Sequence, residues 1–391
     1  MFLQLVCLLC FLGGTAADAA LAQAAAAQST SEPASRADAL RLERVKKQQA
    51  LTPNKPDSLQ HAIDFAEVRA LRILGRDGLY PKIGTLTTGS GFAFGGGYRS
   101  RAMFAHHGRG EVWGAASIKG YWALQGRVAF PERIDDWYMV EAIADVRDYP
   151  KEKFYGLGPD SSRDNEVTFD LHMSEFTSRA GVRPAPALLV GGEVGLFYPR
   201  LDLVDIDYLR TGAFVEVDYR EPKNARRGGW YRLNFGNYDD RTTGRRGFQR
   251  ADLDVRQFIG FLSDKRVIAL RGFVSTSDSE DDGPGIPFFL MPSLGGNDTL
   301  RGFRNYRFRG PHAILVQGEY RWELWSGLDA ALFYDAGKVA LQRADINFKD
   351  LESDYGFGFR FNTAGGVIMR VDAAFGSREG KHLLIVFGGV F

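Results

Sequence analysis

The sequence predicts an all-β protein, a 16-stranded antiparallel transmembrane β-barrel. From Thr87 to the end, apolar and polar residues alternate with the period of two that a β-strand requires. A soluble sandwich also alternates, with its charges facing water. Here opposite charges share one face of strand after strand and aliphatic or aromatic residues share the other, which favours a wall between lipid and a hydrated lumen.

The composition excludes several other classes of protein. The net charge is +1 and the basic residues are interspersed with acids, so no nucleic-acid-binding surface is predicted. Both cysteines, Cys7 and Cys10, lie at the N-terminus, which leaves no thiol for a disulfide framework or a cysteine metal site in the mature protein. No run of about eighteen apolar residues follows the N-terminus, and this excludes a helical membrane protein.

Residues 1–24 are predicted to be a signal peptide. Residues 2–12 form an apolar core of suitable length, and small-x-small cleavage sites follow it, such as Ala17-Asp18-Ala19. No Lys or Arg precedes the core, which departs from the usual pattern. A short buried helix is the alternative, and the alanine-rich tract that follows disfavours it.

Residues 25–84 are predicted to be a periplasmic linker with one amphipathic helix over about residues 58–74. Asp57 suits its N-cap, Gly75 suits its C-terminal stop, and apolar residues recur between them at helical spacing. Two roles remain open for this helix. Its apolar face packs under the barrel, which is favoured on general grounds, or it plugs the lumen or docks a partner.

Residues 85–391 are predicted to form the barrel. Sixteen alternating runs begin near Gly89, Gly110, Tyr121, Asp136, Asn165, Phe176, Ala187, Tyr208, Gly228, Gly247, Lys265, Ala313, Leu328, Asp354, Gly366 and Lys381. An even number places both ends of the barrel in the periplasm.

The connections between these runs are predicted to be long outside and short inside. Those expected outside include residues 101–109 and 278–312, and those expected inside include Lys119-Gly120 and Ser326-Gly327. The connection over residues 147–164 does not fit, because it is long and falls on the periplasmic side.

The insertion at residues 278–312 carries the most informative motif in the chain. It contains Leu294-Gly295-Gly296-Asn297-Asp298-Thr299-Leu300-Arg301-Gly302-Phe303, followed by Arg307-Phe308-Arg309-Gly310. Alone, this is a Gly-rich turn with scattered cations. The segment Phe333-Tyr334-Asp335-Ala336-Gly337 and the terminal Phe391 follow it in order. Together they resemble the bacterial surface-antigen family of outer-membrane barrels, whose members include the assembly factors BamA and TamA.

The resemblance implies that the sixth extracellular loop folds back into the barrel. Its tip would be Leu300-Arg301-Gly302-Phe303, with Arg301 meeting Asp335 on an inner wall that also carries Phe333 and Gly337. Glu319, an inward acid on the preceding strand, is a second acceptor for Arg301. Gly302 would let the loop turn closely against the wall. A solvated ion pair, worth about 0–1 kcal/mol, is the alternative.

The resemblance also implies a function at the bacterial outer membrane, in protein or lipid assembly or translocation. Its partners would be outer-membrane lipids, the assembly machinery, client proteins and periplasmic or lipoprotein partners. Phe391 would be the signal that this machinery recognises. Relatives that fold or export other proteins carry periplasmic POTRA repeats, and none is recognised here, so a barrel-only member is expected. A passive pore or structural surface barrel is the alternative.

No enzymatic activity, cofactor or metal is predicted. The six histidines are scattered, and there is no Gly-x-Ser-x-Gly nucleophile elbow. The acidic run at residues 278–283 is similar to a calcium loop. However, Phe289 stands where the bidentate acid should be, which favours a solvated loop.

Overall fold

The computed structural model describes residues 77–87, 89–103, 108–130, 137–201, 204–220, 226–279, 285–325, 327–363, 366–376 and 379–387. The predicted signal peptide, the linker helix over residues 58–74 and Phe391 lie outside these residues. The helices in the described part are single turns of three residues at Arg163–Asn165, Phe288–Leu290 and Arg343–Asp345. None of them is long and apolar enough to cross a membrane.

The described chain forms a nearly closed barrel of sixteen strands, in which each strand pairs antiparallel with the next. The predicted fold class and strand number are confirmed. The strands are β1 Gly78–Gly84, β2 Ala93–Met103, β3 Gly108–Ser117, β4 Trp122–Phe130, β5 Tyr138–Phe154, β6 Val167–Ala185, β7 Leu188–Leu201, β8 Tyr208–Asp218, β9 Gly228–Asp240, β10 Phe248–Phe261, β11 Arg266–Ser279, β12 His312–Trp325, β13 Leu328–Ala340, β14 Glu352–Thr363, β15 Gly366–Gly376 and β16 Gly380–Phe387.

The two faces of the barrel wall have opposite polarity. In β14 the outward residues Tyr355, Phe357 and Phe359 are exposed, while Asp354 and Arg360 point inward and are buried. A soluble sheet buries its apolar face and hydrates its charges. The reversed arrangement is the one that a barrel in lipid requires, because the lipid lies outside and the polar groups must be satisfied within.

Two strands differ from those expected. The runs expected near Asn165 and Phe176 are one continuous strand, β6, of 19 residues. A strand that crosses a bilayer needs only about 9–11 residues, so β6 is longer than the span itself. The expected boundary at residue 85 is also wrong, because β1 precedes it, in what was predicted to be linker. Pro81 in β1 obscures the alternation, and a proline is tolerated there because β1 is an edge strand.

Because β1 is an additional strand and β6 is one strand instead of two, several connections lie at the end of the barrel opposite to the one expected. The connections after β1, β3 and β5 share one end with residues 280–311, called L6, which is the sixth connection at that end and joins β11 to β12. Cross-contacts agree, since Lys119 Nζ donates to the Gly89 carbonyl at 2.7 Å and Gly158 N donates to the Arg309 carbonyl at 2.8 Å.

The predicted sides of three connections are therefore corrected. Lys119-Gly120, expected at the end opposite L6, lies at the L6 end. Residues 101–109, expected at the L6 end, contain the connection between β2 and β3 at the opposite end. The long connection after β5 no longer misfits, because it lies with the other long connections. The expected sides are wrong because β1 was not predicted, and without it every connection before β6 is assigned to the wrong end of the barrel.

Candidate functional site: the L6 tip on the inner wall

The tip of L6, residues 293–309, lies inside the barrel and contacts strands β11 to β15. A two-residue ribbon, Ser293–Leu294 paired with Phe308–Arg309, forms the base of its tip. Leu300 and Phe303 are buried in one apolar cluster with Leu294, Phe308, Ala313, Leu315 and Val339. The apolar tip residues of the predicted motif therefore pack against the wall rather than face solvent.

Arg301 lies at the centre of the tip and is completely buried. Its guanidinium donates to both carboxylate oxygens of Asp335, from Nε at 2.7 Å and from Nη2 at 2.8 Å. Nη1 donates to Glu319 at 3.0 Å. The group also lies over the ring of Phe333, 3.5 Å from its centroid. The structure thus brings Arg301, Asp335, Glu319 and Phe333 together in a bidentate, water-excluded arrangement, not a solvated one.

The strand pairing between β12 and β13 positions the acceptors. Gln317 lies opposite Asp335 in the ladder, and Glu319 lies opposite Phe333. Alternate residues of a strand share one face, so Phe333, Asp335 and Gly337 all belong to the inner face. Gln317 connects the wall to the loop, because its Nε2 donates to Asp335 at 3.1 Å and to the Thr299 carbonyl at 2.7 Å.

Four wall residues that sequence reasoning missed extend this site. Arg360 donates to both oxygens of Glu319, at 2.8 and 2.6 Å, and to Asp372 at 2.5 Å. Arg321 donates to Glu319 at 2.6 Å, and Arg370 donates to Asp372 at 3.0 Å. Together these seven residues are the L6 ion network: Arg301, Glu319, Arg321, Asp335, Arg360, Arg370 and Asp372.

The signal for the missed residues was present in the sequence as inward parity on β14 and β15. Arg360 and Arg370 are direct partners in the ladder between those strands. That pairing could not be read without the register. Arg370 also contacts the loop itself, since its Nη2 donates to the Asn297 carbonyl at 2.5 Å and to Asp298 Oδ1 at 3.0 Å.

Gly302 allows L6 to approach the wall closely. A methyl group added there would lie 2.6 Å from Asp354 Cβ and 2.6 Å from the backbone nitrogen of Gly376. Gly337 is similarly restricted, because a methyl group would lie 2.6 Å from the Ile314 carbonyl oxygen. Both predicted glycines therefore lie where a side chain would clash.

The second half of the motif holds L6 to the connections at its own end. Arg307 donates to the hydroxyl and carbonyl of Ser161 at 2.9 and 2.8 Å and is paired with Glu379. Arg304 donates to Glu166 at 2.9 Å. Lys153 also hydrogen-bonds Glu166, and this contact holds the pKa of that carboxyl below its usual value. L6 is thus attached to the connection after β5 as well as to the wall.

The energetic consequence follows from burial. Four guanidinium groups share three carboxylates, and every member of the L6 ion network has nearly all of its side chain removed from solvent. Removing one partner of a buried pair leaves an uncompensated charge and costs about 3–5 kcal/mol. The arrangement can therefore hold a long loop in one position. Among the described residues, no cluster of His, Cys, Asp or Glu is arranged to bind a metal.

Solved structures of other proteins are similar to this barrel. Neither a protein-family model nor a curated protein matches the sequence. BamA from Haemophilus ducreyi lacking POTRA domains 1–3 matches with a TM-score of 0.59 at 12% identity, over 80% of this chain and 69% of that one. The barrel is of the BamA type. At this identity the likeness shows the fold alone.

Two CdiB structures are also similar to this chain. CdiB from Acinetobacter baumannii matches with a TM-score of 0.52 at 12% identity, over 78% of this chain and 58% of that one. CdiB from Escherichia coli matches with a TM-score of 0.53 at 14% identity, over 78% and 61%. The match thus spans less than two thirds of each CdiB chain.

Proposed function

We propose that this chain is a bacterial outer-membrane barrel that assembles or translocates outer-membrane proteins or lipids. Its BamA-type fold, its apolar outer face and its inward L6 support the proposal. Its partners would be outer-membrane lipids, the assembly machinery during biogenesis, and client proteins or lipoproteins. The L6 end would face the cell exterior, so that both chain ends of the barrel face the periplasm.

The seam between β1 and β16 is the observation that carries this proposal. The two strands approach each other, but no ladder joins them among the described residues, whereas every other neighbouring pair is hydrogen-bonded. Among the described residues, β1 has 7 residues and β16 has 8. Their outward side chains Leu79 and Leu383 are 83% and 72% exposed.

A weak seam has a direct functional use. Unpaired N–H and C=O groups on a strand edge can pair with a strand of another chain. An opening between β1 and β16 would therefore template a client strand or disturb the adjacent lipid. A passive pore or structural barrel is the second candidate. It is favoured by cavities that L6 leaves unfilled on the opposite inner wall.

A seam closed by a disulfide distinguishes the two functions. One cysteine is placed in β1 and one in β16, and the two native cysteines, Cys7 and Cys10, lie in the predicted signal peptide. The control pair is Tyr98→Cys with Val112→Cys, which are direct partners in the ladder between β2 and β3. Both disulfides join strands on the outer face, but only the first prevents opening.

The readout is complementation of a deletion strain's outer-membrane assembly defect, under oxidising and reducing conditions. The assembly function predicts that the oxidised seam pair loses complementation, that reduction restores it, and that the control pair complements throughout. Complementation by the oxidised seam pair would instead support the passive barrel.

A further inference from the structure

Two adjoining cavities of about 350 and 250 Å³ lie in the lumen on the wall formed by β2 to β9. Both are lined by Arg109 and Arg127, so they form one continuous site, called here the basic cavity. Its lining includes eight arginines and only four carboxylates. The site is separate from the L6 ion network, which lies on β12 to β15.

The basic cavity lies near the end of the barrel opposite L6. Arg109 is the second residue of β3, and Arg183 lies near the end of β6. Arg220 follows the end of β8, and Arg232 lies near the start of β9. All four positions adjoin connections at that end. Among the described residues, the cavity therefore lies nearest to the mouth of the barrel away from L6.

A buried carboxylate of the barrel wall fixes the orientation of two of these arginines. Arg127 donates from Nε to Glu141 at 2.6 Å, and Arg179 Nη2 lies 3.3 Å from the other oxygen of Glu141. The Glu141 side chain is 6% exposed, whereas that of Arg127 is 43% exposed. One acid thus orients two guanidinium groups without covering them, and each group has five N–H donors in total.

A third anchored arginine also lines the cavity. Arg220 donates to both oxygens of Asp218 at 2.9 and 2.8 Å, which fixes the plane of its guanidinium. Trp230 adds a flat aromatic surface to the lining, with Arg220 at 5.9 Å from its ring centroid. The cavity therefore combines several fixed guanidinium groups with one ring.

This chemistry matches a phosphate-bearing anion. Fixed guanidinium forks recognise phosphate in a bidentate manner, and arginines outnumber carboxylates among the lining residues. The volume lies in the range of about 300–1,000 Å³ that is typical of small-ligand sites. An acidic polypeptide would need an extended groove rather than this compact site.

We propose that the basic cavity binds a phosphate-bearing anion, through Arg127, Arg179 and Arg220. Inorganic pyrophosphate and the phosphorylated headgroup of a lipid share this chemistry. The proposal goes beyond the proposed function and does not depend on it, because binding is measured on the purified barrel without any assembly activity.

The test is titration calorimetry on the full chain in detergent at low salt, where charge interactions are least screened. The probes are inorganic pyrophosphate, dihexanoyl phosphatidylglycerol below its micelle concentration, and citrate as a non-phosphate anion. The variants are Arg127→Gln and Arg220→Gln. The control is Arg147→Gln, an inward arginine of β5 that pairs with Asp145 and does not line the cavity. Heat-modifiable gel migration confirms that each variant is folded.

The expected result is binding of pyrophosphate or the phospholipid, weakened about tenfold or more in each of the two cavity variants, because each loses a charge-assisted hydrogen bond. The control should bind like the wild type. Binding of pyrophosphate alone would identify a soluble anion, and binding of the lipid alone would identify a headgroup. No binding of either phosphate probe, equal affinity for citrate, or equal weakening in Arg147→Gln would overturn the proposal.

Discussion

The two halves of the inner wall use the same side chains in different surroundings. On β12 to β15, guanidinium and carboxylate groups form the L6 ion network beneath an inserted loop. On β2 to β9, Arg127 and Arg179 share Glu141, and none of the described residues of L6 lines the cavity around them. The ion pairs beneath L6 are shielded from water, so they interact strongly, and breaking one of them is strongly destabilising. The arginines outside the network, Arg127 and Arg179, stay partly exposed at 43% and 22% and keep donors available for a ligand, although Glu141 between them is buried. The position of L6 therefore determines whether the charged wall holds the loop in place or is available to bind a ligand.

The largest expected effect is that of Arg301→Ala. It leaves Asp335 as a buried charge without its guanidinium partner and removes one of the three arginines that donate to Glu319. The expected cost is about 3–5 kcal/mol. The melting temperature in detergent should fall and L6 should become protease-sensitive. Arg343→Ala is the control, because Arg343 pairs with Asp278 at the exposed surface, where a pair is worth about 0–1 kcal/mol.

Asp335→Ala extends this test. Arg301 and Asp335 act as one unit, so the double variant should be no less stable than the less stable single variant. Additive losses would contradict the contact, as would an L6 that is already protease-sensitive in the wild type.

A smaller effect is expected from Gly302→Ala. The added methyl group clashes with Asp354 and Gly376, and overpacking of this kind costs about 1–3 kcal/mol. Thermal unfolding and limited proteolysis of L6 measure the loss. Gly126→Ala in β4 is the matched control, because a methyl group there meets nothing within 4 Å. If both substitutions have equal effects, L6 does not approach the wall as closely as described.

The smallest effect on stability, but a sharp test of topology, is expected from Lys119→Cys. This residue is exposed in the connection after β3, at the L6 end. A membrane-impermeant thiol reagent should label it in intact cells. Asp264→Cys, in the turn between β10 and β11 at the other end, should be labelled only after the outer membrane is opened. The reverse pattern would invert the orientation of the barrel.

The sequence was informative where the chemistry is local. Arg301 could be matched to Asp335 because the loop motif and the inward parity of β13 are each visible within a few residues. Arg360, Arg370 and Asp372 were not found, because they come from β14 and β15 and join the network only through cross-strand register. Arg360 donates to Glu319 and to Asp372, and Arg370 donates to Asp372.

The fold was predictable for the same reason, and the errors in its prediction concern two single strands. The alternation of apolar and polar residues predicted sixteen antiparallel strands. It did not reveal β1, a seven-residue strand interrupted by Pro81, and it divided the 19-residue β6 in two. The basic cavity could not be predicted either, since its arginines are distributed over strands far apart in the chain.

The most direct test of the difference between the two halves of the inner wall is one isosteric substitution in each half. Glu319→Gln removes a carboxylate that accepts from Arg301, Arg321 and Arg360 under L6, and Glu141→Gln removes one shared by Arg127 and Arg179 in the open lumen. Urea unfolding in detergent should show a loss of about 3–5 kcal/mol for the first. It should show about 1 kcal/mol or less for the second, because the released arginines can hydrate. Equal losses for the two variants would contradict the account, since the cover provided by L6 would then make no difference.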